Sequence, residues 1–185
     1  MANPKILIPF IQRWEGGFAN DPLDKGGATM AGITIATYRT WCAKNGKAVP
    51  ETDDLRNITQ PQWDDIFTTM YWNRWKASDI HSQSIANILV DWLWTSGSYG
   101  ITIPQRLVRV ASDGVVGPIT LNAINTQNAK ELFSSIRTAR LQYINDICTR
   151  TPSNEKFRRG WLNRLNDILY HETNTDHPGN YFRSL

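Results

Sequence analysis

The chain has 185 residues, 41% of them hydrophobic and 20% charged, with a formal net charge of +3. That size and balance suit an ordinary soluble globular protein of one domain, or of two small lobes sharing a core. They exclude a dedicated nucleic-acid binder, whose basic stripe is denser, and no stretch approaches the roughly 20 apolar residues of a membrane span.

Along the chain, Ile6, Leu7, Phe10, Ile11 and Trp14 recur at helical spacing and predict a first helix. Asn3 suits its N-cap and Pro4 its first turn, Pro9 costs it a backbone hydrogen bond, and Gly16 and Gly17 end it. Residues 18–33 read as a loop or short hairpin. Thr34 caps a second helix over "IATYRTWCAKNG", closed by Gly46, and "VPETDDLRNI" reads as a loop. Thr59 and Gln62 have capping-box spacing, opening a helix through "WDDIFTTMYWNRW" with Trp63, Ile66, Phe67 and Met70 on its apolar face.

"SIANILVDWLWTSG" is the most apolar segment and predicts a central helix, broken by Gly97 and Gly100. A short helix over "IPQRLVRV" follows, then a turn at Asp113-Gly114 and a helix opened by Pro118. Two more helices, about 128–149 and 154–170, flank the Thr151-Pro152 break, and the tail "TNTDHPGNYFRSL" reads as irregular. The class is mainly α with at most a small β-hairpin.

Cys42 and Cys148 lack any CxxC or Cys/His cluster and are expected as free thiols. His81, His171 and His177 lack metal-ligand spacing, so no metal or other cofactor is expected. The tight basic cluster "KFRRG", Lys156 to Gly160, reads as a solvated helix face. Eight tryptophans are many for this length; most suit a core, yet the indole is also a side chain whose flat face stacks on sugar rings.

The chemistry concentrates in "RWEGGFANDPLDKGGATMAGIT", residues 13–34. Glu15 falls at the end of an apolar helix face, where desolvation and the helix C-terminus both favour a protonated acid able to donate to a leaving group. Asp21 and Asp24 follow in a loop rich in glycine, which lets a chain or ligand approach closely. Glycosidic hydrolysis needs such a carboxyl pair. Spacing alone leaves both aspartates equally suited to turn formation.

"EGGFANDPLDKGGATMAGIT" (15–34) closely resembles the signature of the phage-type lysozymes of glycoside hydrolase family 108. "DGVVGPITLNAI" (113–124) and "FRRGWLNRLNDI" (157–168) resemble the predicted peptidoglycan-binding segment that follows in that family. The resemblance implies a lysozyme-like fold, with a small N-terminal lobe and a larger helical one. It implies a catalytic region over 1–80 and a helical peptidoglycan-binding-like region over 81–185, packed as one unit. It further implies an N-acetylmuramidase cutting the β-1,4 bond between N-acetylmuramic acid and N-acetylglucosamine, with Glu15 as the catalytic acid.

By analogy with phage lysozymes, Asp24 holds the attacking water and Thr29 assists, with Asp21 as the competing carboxylate. Phe18, Thr34, Trp72 and Trp75 are candidates to line the substrate cleft. Phe18, Ala28 and Met30 depart from the commoner Tyr, Glu and Lys of the family pattern, which bears on substrate affinity. The alternatives are a lytic transglycosylase and a non-catalytic peptidoglycan-binding or secretion-associated protein. Bacterial peptidoglycan is the expected partner, and a monomer the expected state. With no signal peptide visible, synthesis in the cytoplasm and action on the wall, as in an endolysin, is the expected route.

Overall fold

The computed structural model describes residues 1–20 and 27–183. Among these the chain forms nine α-helices and one two-stranded sheet around a single apolar core that runs from Ala2 to Phe182. The mainly α, lysozyme-like class expected from the sequence is the class observed.

Helix α1 (Pro4–Trp14) starts as expected: the Asn3 side chain accepts from the Lys5 N–H at 3.0 Å, and Pro4 sits in the first turn, where an N–H would be orphaned anyway. Its face of Ile6, Leu7, Phe10 and Ile11 is buried. Helix α5 (Gln83–Ser96) is the centre of the molecule, with every side chain from Gln83 to Leu93 buried. Two contacts set α1 beside α5. At one end Asn3 and Gln83 exchange hydrogen bonds of 2.7 and 3.1 Å; at the other, Glu15 meets Trp94 at 2.7 Å. Both stretches rise about 1.5 Å per residue. The two helices therefore run in the same direction and deliver Glu15 and Trp94 to one end of the core.

The glycine-rich segment closes against that end. Strands β1 (Thr29–Met30) and β2 (Ile33–Thr34) pair antiparallel, Thr29 opposite Thr34 and Met30 opposite Ile33, and Ala19 adds a bridge to Thr29. The two turn residues, Ala31 (φ 47°) and Gly32 (φ 77°), both have positive φ, the requirement of a tight hairpin that follows strand twist. Thr34 then caps α2 (Ile35–Lys44), accepting from the Thr37 N–H at 3.1 Å.

Three segments differ from the sequence reading. "VPETDDLRNI" contains a helix, α3 (Thr52–Arg56), whose N-terminus is closed by Glu51 and Asp54 in an acidic version of the capping box. The expected capping box of Thr59 and Gln62 does open α4 (Gln60–Phe67), but the helix widens into a π turn over Thr68–Trp72. Gly100 does not break a helix; it lies inside α6 (Tyr99–Leu107), where a Cβ would stand 2.3 Å from the Leu93 backbone nitrogen. Glycine is there so that α6 can cross α5 closely.

The remaining helices are α7 (Pro118–Asn125), α8 (Ala129–Arg150) and α9 (Glu155–Asp167). Between α6 and α7, Asp113 and Gly114 form the expected turn: Asp113 accepts from Val115 N–H and Gln105 at 2.9 Å each. The tail is irregular but not loose. Leu169 N–H donates to Tyr181 at 2.7 Å, Tyr181 and Phe182 are buried, and the Phe182 ring stacks on Phe10 of α1 at 4.3 Å. Both cysteines are free and buried.

Candidate active site

Glu15 leaves α1 in an extended conformation (φ −96°, ψ 141°) just before Gly16 and Gly17, and its side chain turns into a cleft of about 520 Å³. Trp14, Gly32 and Trp94 form one side of this cleft, and Lys156, Phe157 and Trp161 of α9 the other. Glu15 Oε1 accepts from Trp94 Nε1 at 2.7 Å and from Arg164 Nη1 at 2.8 Å. Among the described residues Oε2 has no hydrogen bond, which leaves it as the oxygen available to a ligand.

Each partner is itself held. Trp94 lies in an aromatic cluster, 4.5 Å from Tyr71, 5.7 Å from Trp63 and 5.8 Å from Phe67 between ring centroids. Trp63 Nε1 in turn donates to the Ala31 carbonyl at the hairpin turn, at 3.0 Å. The next residue, Gly32, lies against the acid: a Cβ there would meet Glu15 Oε2 at 2.7 Å and Trp94 at 2.6 Å. Hairpin, indole and carboxylate therefore fix one another, and only glycine fits where they meet.

Arg164 is the hub of a buried ion network. Its Nε and Nη2 donate to Asp91 Oδ1 at 2.9 and 2.8 Å while Nη1 reaches Glu15. Arg140 Nη2 lies 2.7 Å from Asp91 Oδ2, as an ion pair rather than a well-directed hydrogen bond, and donates to Thr95 Oγ1 at 3.2 Å. Asp91 is 0% exposed. Burial alone would push its carboxyl up, but the Arg164 and Arg140 guanidiniums outweigh that and hold it below the ordinary carboxylate value. The sequence carried a signal for this network: a lone aspartate within "ILVDWLW" on an otherwise apolar helix needs a buried cation. The expectation of an apolar seat for Glu15 omitted that cation.

Asp21 and Asp24 lie outside the described residues. Thr29 sits in β1, with its backbone bonded to Ala19 in both directions at 2.8 and 2.9 Å. The Thr34 hydroxyl is engaged in capping α2. Phe18 is half-buried beneath the Arg56 guanidinium, 4.4 Å from its ring centroid. Trp72 and Trp75 are a correction: both are 0% exposed, so their indoles fill the core and present no face to a sugar. The aromatic walls of the cleft are Trp14, Phe157 and Trp161 instead.

The basic cluster is the solvated helix face expected of it, with Lys156, Arg159 and Gly160 exposed on α9. Arg158 faces Glu155 and Asn145, but Lys156 and Gly160 border the cleft, with Lys156 Nζ 4.8 Å from the Phe157 ring centroid. Glycine at 160 has nothing within 4 Å of a Cβ position. Among the described residues no group of acidic, cysteine or histidine side chains could hold a metal ion, and no helix is long and apolar enough to cross a membrane.

Comparison with known proteins agrees with this division of the cleft. Residues 8–97 match the family model described as "Glycosyl hydrolase 108", and residues 99–166 the one described as "Predicted Peptidoglycan domain". The first contributes Glu15, Gly32, Asp91 and Trp94; the second contributes Arg140, Lys156, Trp161 and Arg164. The fold is similar to the structure of SagA from Brucella abortus, with a TM-score of 0.72 at 28% identity, covering 86% of this chain and 87% of that one. Among curated proteins no match was found.

Proposed function

We propose that this chain, whose residues 8–97 match the glycosyl hydrolase 108 model and 99–166 the peptidoglycan-domain model, is an N-acetylmuramidase that cuts the β-1,4 bond between N-acetylmuramic acid and N-acetylglucosamine. At the coarser level it is a glycoside hydrolase of the peptidoglycan-degrading kind. One observation carries the finer reading: a carboxyl group with one oxygen clamped and the other facing an aromatic-walled cleft of about 520 Å³.

In this reading Glu15 Oε2 gives its proton to the glycosidic oxygen. Negative charge then develops on Glu15, and the Trp94 and Arg164 donors already stand at Oε1 to stabilise it. They need no reorganisation at the moment of transfer, which is how fixed donors lower a barrier. The glycan lies between the hairpin side and α9, with Phe157 and Trp161 available to sugar faces. The resemblance assigns the water to Asp24 with Thr29, and Asp21 is its competitor. A carboxyl separation of about 6.5–9.5 Å gives inversion and about 5–5.5 Å retention. The substrate lies outside the cytoplasmic membrane, so the protein acts at the wall.

The test is digestion of purified sacculi with mass spectrometry of the products. Reducing N-acetylmuramic acid ends are expected, with the rate falling about 10²–10⁴-fold in Glu15→Gln, which keeps the shape but supplies no acid. Undiminished clearing by Glu15→Gln overturns the assignment. Products ending in 1,6-anhydro sugars replace hydrolysis by transglycosylation, where Glu15 acts without a partner carboxylate.

A further inference from the structure

An arginine facing a carboxylate often forms a fork, with one hydrogen bond to each oxygen, and that bidentate pair is the stronger arrangement. Glu15 has only one such bond. Arg164 turns its Nε and Nη2 edge to Asp91 Oδ1, at 2.9 and 2.8 Å, so Nη1 is left for Glu15 Oε1, at 2.8 Å. Asp91 is held in turn. Arg140 Nη2 stands 2.7 Å from its Oδ2 and donates to Thr95 Oγ1 at 3.2 Å. Helix α8, which carries Arg140, packs on both α5 and α9, so the row Arg140, Asp91, Arg164, Glu15 is built into the helix packing.

The charges along this row matter because water is scarce there: Asp91 is 0% exposed, Arg140 4% and Arg164 7%. With Glu15 ionised, two carboxylates balance two guanidiniums. With the proton that Glu15 must donate in place, the row carries one positive charge in excess. A cation beside a carboxyl group favours its ionised form, and an anion behind that cation opposes the effect. Asp91 is that anion, and Arg140, farther along, weakens it. Among the described residues the other groups around the acid are Trp94, a neutral donor, Tyr71, whose hydroxyl burial pushes up and keeps neutral, and Lys156 at the border of the cleft.

We propose that Asp91 and Arg140, neither of them hydrogen-bonded to the acid, are positioning residues for Glu15: Asp91 holds Arg164 to a single bond with it, and Arg140 limits how strongly Asp91 does so. The role rests on the reading of Glu15 as the proton donor. Without the Asp91 charge, Arg164 turns to a fork on Glu15, Oε2 is taken, and the proton meant for the glycosidic oxygen is displaced. Without Arg140, the whole Asp91 charge faces Arg164, and the acid stays competent to a higher pH.

The test is the pH dependence of kcat/KM for release of reducing ends from soluble peptidoglycan strands by wild type, Asp91→Asn and Arg140→Met, with folding checked by circular dichroism at each pH. Cleavage by a general acid fades on the alkaline side as the donor loses its proton. Asp91→Asn is expected to move that limb down by about 1–2 pH units, the effect of a unit charge about 6–8 Å away at an effective dielectric constant of about 20. Its rate recovers toward the wild-type rate in acid. Arg140→Met is expected to move the limb up by about 0.5–1 unit, since its charge acts from farther away. A purely structural role lowers the rate at every pH and leaves the limb in place. Unmoved limbs, or limbs that move the same way in both variants, overturn the proposal. If Asp91→Asn does not fold, Asp91→Asn/Arg140→Met removes the buried pair together. Its limb is expected below the wild-type position, and a limb at or above that position overturns the proposal. Glu15→Gln separates the two claims. Undiminished cleavage in Glu15→Gln overturns the acid reading itself, whereas lost cleavage there with fixed limbs in the other variants overturns only the positioning role.

Discussion

Asp91→Asn keeps the shape of a fully buried side chain and removes its charge, and the network around it makes the consequence calculable. In the native chain Asp91 meets three guanidinium nitrogens at 2.7–2.9 Å. After the change Arg140 has no carboxylate partner, and Arg164 keeps only Glu15. Removing one partner of a buried ion pair costs about 3–5 kcal/mol, because the charge left behind stays out of water. At about 2–4 °C per kcal/mol for a chain of this size, Tm falls by about 6–20 °C. Urea unfolding measures it directly, as a lower midpoint at unchanged slope.

Acid supplies a second signature of the same change. A carboxyl held low in the folded state adds stability above its unfolded pKa of about 3.9, and that contribution disappears as pH falls through the folded value. Wild-type stability therefore drops below about pH 4 more steeply than that of Asp91→Asn. A loss under about 1 kcal/mol, the scale of exposed pairs, would mean that water reaches the arginines and would refute the buried network.

Gly32→Ala puts a Cβ at 2.6–2.7 Å from Trp94 and Glu15 and forces alanine to φ 77°; about 1–3 kcal/mol of stability and much of the glycan cleavage should go together, read by melting and turnover. Gly100→Ala meets the Leu93 backbone at 2.3 Å and should cost about 1–3 kcal/mol in denaturant titrations. Phe182→Ala removes the ring stacked on Phe10 and should cost about 3–5 kcal/mol, showing as early unfolding of the tail and α1 in hydrogen exchange. Trp161→Ala should raise KM on glycan strands with little change in kcat, the pattern of lost binding shared by ground and transition states; a fall in kcat alone would contradict its role as a wall.

Local signals were legible in the sequence, and non-local ones were not. Asn3, Pro4, Thr34, Thr59 and Gln62 act within four residues of themselves, so the starts of α1, α2 and α4 could be read directly. The short helix α3 hid because its cap uses Glu51 and Asp54, residues that read as loop polarity. Trp72 and Trp75 sit at spacings that suit a cleft or a core equally well, and only their neighbours decide for the core. The tail looked irregular because its burial depends on Phe10, at the other end of the chain. Glu15 was legible through the pattern around it, whereas Arg164, 149 residues away, makes its contact only once the fold exists.

That separation gives the protein a timetable. Ribosomes add about 5–20 residues per second, so Glu15 is synthesised about 7–30 s before the arginine that clamps it. Until then the acid has neither its cation nor the opposite wall of its groove. A chain that stops short of α9 therefore holds this acid without its guanidinium and without the far wall of the groove.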